Sequence, residues 1–592
     1  MSPQPFDAII VGAGLGGLVA GALLAQGGRR VQVLERHDKF GGAATTFRRR
    51  DLQVEVSLCM MDGLDPQDFK TPLFARLGLL EAVPVATSET FYNLRHPRFN
   101  GDFCLPRGYD AAIMAVTNRF PQHEKGIRTY FSTIRHLRNT RNQQFIQQLK
   151  WGRTPLSELA DIQNTLLAAA GIPPSAATPQ QQTDTLTAAQ KISMQRFLTT
   201  LFGDDEAIQW ALCANLQFFT ESLEQISLFD FSLSQASYHY GAHYIRGGSQ
   251  RLSDRLVEII RAHGGEAWSR REVTALLVED QRVVGVTHRK AGIIGSAKGV
   301  SQPDFQESYA RMVLGNATPR VMRDLLPQAL RDRFYRPYEG LAADLSNWTV
   351  YLGFNGPPSR FGVAQYAQIV IPAWLDTLKK MPESSVVMAL PPGSREAPFL
   401  FCDYGQLGEM SGANGQHLGL MNWIDRLSNW PTDEAAYQAH KAGWLDALIA
   451  SLDRAFPGIA PTIVYQEMAT PRTVRAYLND PMGGVHGFGD PGLALKSGSA
   501  FQRGCQTGIE GLLLASSFAF GPGYSKAILT GTVAAEMTFK ALKRGGSGRF
   551  LSQGFDFASS QNGCGLALSN SLWREVCSDR RGDAPEGGYH PG

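Results

Sequence analysis

Residues 6–28 read FDAIIVGAGLGGLVAGALLAQGG, and the order of their physical demands decides the fold of the amino-terminal part of the chain. Phe6 to Val11 is a short β-rich apolar run, suited to a strand buried on both faces. It enters Gly12-x-Gly14-x-x-Gly17 and then a helix-forming stretch. Gly27 and Gly28 end that helix, and Val31 to Leu34 forms a second strand that closes on Glu35.

Each glycine has a mechanical part. Gly12 permits the tight turn, Gly14 lets the backbone approach a pyrophosphate, and Gly17 lets helix and sheet pack closely. Leu15 and Gly16 open the helix, whose free N–H groups and positive dipole end favour an anion. Glu35 stands 21 positions after Gly14, at the reach of ribose hydroxyls. The unit therefore predicts an α/β, Rossmann-type dinucleotide site. Arg36 raises a 2′-phosphate and NADP as an alternative; Glu35 opposes it, and a solvated surface charge is the other reading.

The apolar run Ile9–Ala25 has no basic leader and carries five glycines, so it reads as folded structure and not as a signal or anchor. In the 592 residues, 43% hydrophobic and 19% charged side chains give an ordinary globular balance with two or three domains. A net charge of +3 offers no concentrated basic face for nucleic acid. Seven scattered cysteines without a C-x-x-C pair fit thiols in a reducing, cytoplasmic setting, with no metal site.

Glu35-Arg36 continues through four residues to Gly41-Gly42-Ala43, and almost 500 residues later comes GIEGLLLASSFAFGPGYSKA (508–527), then Gly531. Together these segments resemble the flavoprotein superfamily of amine oxidases and phytoene desaturases, closest to phytoene desaturases, carotenoid isomerases and retinol saturases. Further matches are YIRGGSQRL (244–252), REVTALLVED with Val273, RMVLGNA (311–317) and ATPRT (469–473). The resemblance implies FAD, with Ser516, Ser517, Gly523, Tyr524 and Ser525 closing over it. Ala43 replaces a common polar residue, and Ser516-Ser517 replaces a usual Gly-Asp. No second glycine fingerprint for a nicotinamide domain occurs.

Residues 1–100, 240–330 and 465–545 are thus expected to form a discontinuous FAD-binding domain. Residues 101–239 and 331–464 are expected to form a mixed α+β substrate domain, and 546–592 a tail. Ile172–Gln190 reads as a surface loop or lid. Lys125–Arg153 reads as a basic amphipathic helix, either interfacial and membrane-touching or an ordinary helix with a solvated basic face.

Catalytic candidates are Glu55, Glu221, His239, His243 and Lys496. Glu55 is either flavin-lining or a surface ion pair. Glu221, in an aromatic stretch, is a proton donor if buried. His239 and His243, four apart, share a face if helical. Lys496 resembles the water-holding lysine of amine oxidases, or lies in a loop. Three functions remain: desaturation, saturation, isomerisation or reductive cyclisation of a long apolar polyene; oxygen-dependent amine or amino-acid oxidation; and a non-catalytic flavin-binding escort. The substrate is expected to be an apolar small molecule, and the oligomeric state is open.

Overall fold

A computed structural model describes residues 4–151, 153–173, 177–292, 304–341, 345–409, 415–485, 487–488 and 504–543. Lys496 and the 546–592 tail lie outside the described residues.

The strand Phe6–Val11 is central in the first sheet, parallel to Val31–Leu34 on one side and to Gln306–Gly315 on the other. Glu266–Trp268 extends the parallel set beyond Val31–Leu34. Gln306–Gly315 is shared. Its first half pairs antiparallel with Arg282–Lys290, itself hairpinned to Arg271–Glu279, and its last residues pair in parallel with Leu512–Leu514. The carboxyl-terminal strand, nearly 200 residues further on, thereby enters the sheet that the first strand began. The helix Leu15–Gln26 is buried almost all round, as its uniformly apolar sequence requires.

A second, seven-stranded sheet runs in the order Ile463–Ala469, Leu345–Phe354, His417–Arg426, Phe399–Asp403, Ala367–Val370, Thr90–Arg95, Phe103–Pro106. Thr90–Arg95 and most of Ile463–Ala469 belong to the expected FAD-binding segments 1–100 and 465–545, yet both strands pair outside the dinucleotide sheet. A small sheet joins Met61–Asp62 and Val85–Thr87 to Ala242–Ile245, between the halves of the chain.

Two sequence expectations change. Pro179–Gln190 is a helix, not a loop: Thr178 and Gln181 form a reciprocal capping box that starts it, with proline in its first turn. Glu124–Trp151 is one 28-residue helix, but it does not present an apolar face to a membrane. Ile127, Phe131, Ile134, Leu137, Phe145 and Leu149 are all in the core, and Arg138 and Arg141 are buried with them. Among the described residues no helix is long and apolar enough to cross a membrane.

Candidate functional site

The glycine turn is held from three directions. Glu35 Oε2 accepts the Ala13 N–H at 2.7 Å and Oε1 the His37 N–H at 2.8 Å. Burial raises the Glu35 carboxyl pKa, and those two amides pull against the rise. The Gly41 N–H donates to the Ala13 carbonyl at 2.8 Å, and a Cβ at Gly42 would stand 3.2 Å from Gly14 Cα. Both glycines have positive φ, 121° and 60°, so the paired-glycine loop crosses the turn in a backbone form that side chains disfavour. Ala43 follows, its carbonyl accepting the Ser57 hydroxyl at 2.8 Å.

The third support is Asn316, which the sequence reading placed in the RMVLGNA segment without assigning it a part. Its N–H donates to the Val11 carbonyl at 2.8 Å, and its Oδ1 accepts the Gly17 N–H at 3.0 Å. A Cβ at Gly14 would meet its Nδ2 at 2.6 Å. The signal was an asparagine at the end of a parallel strand beside the turn, a place that sequence alone does not reveal.

The carboxyl-terminal segment lies against the same turn. A Cβ at Gly16 would stand 2.0 Å from the Ala515 carbonyl oxygen and 3.1 Å from that of Ala527. A Cβ at Gly531 would stand 2.3 Å from the Gly16 carbonyl oxygen. The helices Leu15–Gln26 and Tyr524–Lys543 therefore touch backbone to backbone, and the Gly521–Ser525 bend sits beside the glycine turn. Space is open beside Gly521 and Gly523, where an added Cβ would meet nothing within 4 Å. Ser516 is buried with its hydroxyl unpartnered, while Ser517 starts a short 3-10 turn.

Below the bend is a buried ionic network. The Ser525 hydroxyl donates to Asp62, which faces Lys70 Nζ at 3.7 Å. Lys70 bonds Asp68 at 2.8 Å, and Arg138 bonds Asp65 at 2.5 Å and Asp68 at 3.1 Å. Burial pushes the Asp68 carboxyl pKa up, but Lys70 and Arg138 outweigh it and hold the group below the usual carboxylate range. Arg138 is thus the buried counter-ion of this network, which explains why the long helix carries an inward arginine.

The remaining candidates fall in different places. Glu55 is fully buried and is no surface ion pair. It accepts from the Tyr244 hydroxyl at 2.9 Å, the Ser249 N–H at 2.9 Å and the Ser249 hydroxyl at 2.6 Å, with the Ser57 and Leu58 amides nearby. Burial raises its pKa against those donors, and its charge adds to burial in raising the Tyr524 phenol at the bend. Glu221 is paired with Arg426, both side chains being about one-fifth exposed. His239 ends a 3-10 turn and His243 lies in a strand, so they do not share a helix face. The His243 ring nitrogens face Thr87 Oγ1 and the Gly63 carbonyl, each at 2.9 Å. His239 is enclosed by Phe91, Tyr109 and Phe131, and burial pushes its pKa down to about 3.

Arg36 is half-buried, and its guanidinium donates to the Ala476 carbonyl at 2.5 Å and the Tyr477 carbonyl at 3.3 Å. Val273, half-buried, stands two residues past Arg271, whose N–H donates to the Glu35 carbonyl at 2.7 Å. Among the described residues no cluster has the makings of a metal site.

Comparison with known proteins matches this geometry. Residues 10–74 fit the family described as an NAD(P)-binding Rossmann-like domain. The all-trans-retinol 13,14-reductase of Macaca fascicularis is 21% identical over 505 residues, covering 82% of this chain and 77% of that protein. The match to the Rattus norvegicus reductase, 24% identical, spans 56% of this chain and half of that protein. Prolycopene isomerase of Daucus carota is 22% identical, over 80% of this chain and 71% of that one. Among solved structures, an oxidoreductase from Methanosarcina mazei superposes with a TM-score of 0.55 at 14% identity, over 89% of this chain and 99% of its own. Cyclohexylamine oxidase of Brevibacterium oxydans gives 0.51 at 14%, over 91% and 100%. The likeness of these two is one of fold.

The class is therefore a Rossmann-type dinucleotide-binding α/β protein with the second, mixed-sheet domain seen in amine oxidases. Within that class the chain is a distant homologue of the retinol 13,14-reductases and prolycopene isomerases.

Proposed function

We propose that the chain is an FAD-dependent oxidoreductase acting on a long conjugated apolar molecule, of carotenoid, retinoid or polyene type, by desaturation, saturation, isomerisation or reductive cyclisation. The observation that supports it most is the backbone contact between the two distant ends, Gly16 against Ala515 and Gly531. A nicotinamide site formed by residues 10–74 alone gives no reason for that contact. The residues present fit FAD: a buried hydroxyl at Ser516 lacks a partner, and space is open beside Gly521 and Gly523.

In this reading Gly12, Gly14 and the amides of Leu15 and Gly16 cradle the pyrophosphate, Gly17 holds the turn closed through Asn316, and Glu35 takes the ribose. Gly41, Gly42 and Ala43 cover the turn, with Val273 beside the Glu35 end. Ser516, Ser517, Gly523, Tyr524 and Ser525 serve the rest of the cofactor. Arg36 acts indirectly, by tying the end of the second strand to the helix Pro471–Leu478. When bound, FAD supplies the two-electron donor or acceptor that the side chains lack. Glu55 anchors the floor by holding Tyr244 and the Ser249 helix start. Lys70 and Asp62 fix Ser525 at the bend.

An apolar substrate is supported by the ring-lined interior next to Asp62, where Tyr238 stacks on Phe91 at 4.9 Å, and by the names of the relatives. Peripheral contact with a membrane that supplies such a substrate is part of the proposal, without the Glu124–Trp151 helix as its anchor. The test is anaerobic incubation of the purified protein with polyenes and with amines while the visible spectrum is followed. A flavin spectrum that responds to a polyene is expected. Reduction by an amine and by no polyene overturns the substrate class and favours an amine oxidase.

A further inference from the structure

A cleft lined by an excess of one charge concentrates ligands of the other sign. Close to the paired-glycine loop lies a polar cleft of about 570 Å³, a size ordinary for small-molecule sites. One wall is the hairpin of Thr46–Arg49 and Leu52–Glu55, and the other is the helix Gln250–Ala262. Side chains tie the walls and the loop together. Gln53 Nε2 donates to the Gly247 carbonyl at 2.8 Å, and Gln250 Nε2 donates to the Phe40 carbonyl at 3.0 Å. The cleft is thus preformed.

Four cations line it from three elements: Lys39 before the glycine pair, Arg48 on the hairpin, and Arg251 and Arg255 on the helix. Against them stand two carboxylates, Asp254 and Glu258. Glu258 is taken by Arg255 at 2.9 Å, and Asp254 accepts Gln250 Nε2 at 2.8 Å. Lys39 and Arg251 are anchored on carbonyls instead, Lys39 Nζ on that of Thr46 at 2.6 Å and Arg251 Nε on that of Ala82 at 3.1 Å. Among the described residues neither they nor Arg48 pair with a carboxylate, and the buried Nε of Arg255 has no partner. The whole chain carries a net charge of only +3, so this excess is a local concentration. An ordinary solvated basic face leaves its long side chains loose. Here two are already held, which lowers the ordering entropy that a ligand must overcome.

We propose that this cleft is an anion site, separate from the glycine turn, that binds a dianionic phosphate ester carried by a soluble nucleotide or a lipid headgroup. Phosphate oxygens accept from several directions at once, which suits an ammonium and guanidinium groups arriving from loop, hairpin and helix. A lone carboxylate neutralises a single charge and leaves part of the excess unmet. Anchoring on carbonyls uses one donor of Lys39 and one of Arg251, and their other donors remain for the ligand. The inference stands on the residues of the cleft and goes beyond the polyene reading.

The test is calorimetric titration of the full chain, with FAD in excess so that the glycine turn is filled, using glycerol 3-phosphate, ADP and acetate. Both phosphates are expected to bind at one site per chain without changing the flavin spectrum, and acetate at least about tenfold more weakly. In the double variant Arg48→Gln, Arg251→Gln the phosphates are expected to bind at least about tenfold more weakly, as expected for two lost charge-assisted hydrogen bonds. Lys39→Gln carries the same comparison should the double variant fail to fold. Vesicles of phosphatidylcholine with and without phosphatidic acid separate the two carriers. Sedimentation with the phosphatidic acid vesicles that the double variant loses supports a lipid headgroup, and tighter binding of ADP without sedimentation supports a nucleotide. No binding of either phosphate, acetate bound as tightly, or affinities unchanged in the folded variants overturns the site and leaves the flavin reading standing.

Discussion

The glycine turn and the packed regions away from it obey different kinds of constraint in this molecule. Around the glycine turn, atoms are fixed by contact: Gly16, Gly17 and Gly531 each sit where an added Cβ would come within 2.6 Å of backbone oxygen. Away from that turn, volume and satisfied charge do the fixing, as with Arg138 of the long helix between Asp65 and Asp68. Contact constraints tolerate one residue type and leave a readable pattern. Volume constraints tolerate many residue types and leave little that a sequence pattern reports.

The largest expected effect therefore lies at Gly16→Val, whose side chain must displace the Ala515 carbonyl. Loss of soluble protein or of all bound flavin is expected, read by expression yield and visible absorbance. Retained flavin would break the contrast between the two regions. Next comes Arg138→Met, which leaves buried Asp65 and Asp68 without their cation. Removing one partner of such a group costs about 3–5 kcal/mol, measurable as a fall in the denaturant midpoint. An unchanged midpoint would mean that these elements are held by packing alone.

Asp425 sharpens the comparison through pH. It is fully buried in the second sheet, and burial raises its pKa to about 7, against bonds from Asn429 and Trp430. Unfolded, the same carboxyl titrates near 3.9. Between those values the folded state holds more protons than the unfolded one, so stability falls as pH rises from about 4 to about 7 and then levels. Asp425→Asn is expected to flatten that slope, by a few kcal/mol at most, in stability measured across this range. A slope that persists in the variant would assign it to other groups.

The smallest effect is expected at Glu35→Ala. Glu35 already accepts two amides, and the ribose contacts proposed for it would add to these, so about 10–100-fold weaker FAD affinity is expected, on the order of one or two charge-assisted hydrogen bonds. Loss much beyond that would show that Glu35 shapes the turn itself through Ala13.

How much was readable in the sequence follows the same division. Strand, turn and helix at 6–26, the acid at 35 and the carboxyl-terminal bend were legible because each demands a residue type at a set spacing. Asn316 was not, since its part depends on parallel pairing between residues 300 positions apart. The histidines misled because four-residue spacing implies one face only inside a helix, and Gly241 separates a 3-10 turn from a strand. The basic helix misled because sequence cannot tell a solvated arginine from one facing Asp65 and Asp68. The surroundings of Glu55 were not legible either, since its five donors come from Tyr244, Ser249 and its own loop, which no local pattern reports.

The central claim is that two ends of the chain grip one dinucleotide together. Its most direct test is calorimetric titration of flavin-free protein with FAD, wild type against Gly531→Val, a change in the carboxyl-terminal helix alone. The expected result is one FAD per wild-type chain and no measurable binding in a folded variant. Equal binding by the two proteins, or none by wild type, would contradict it.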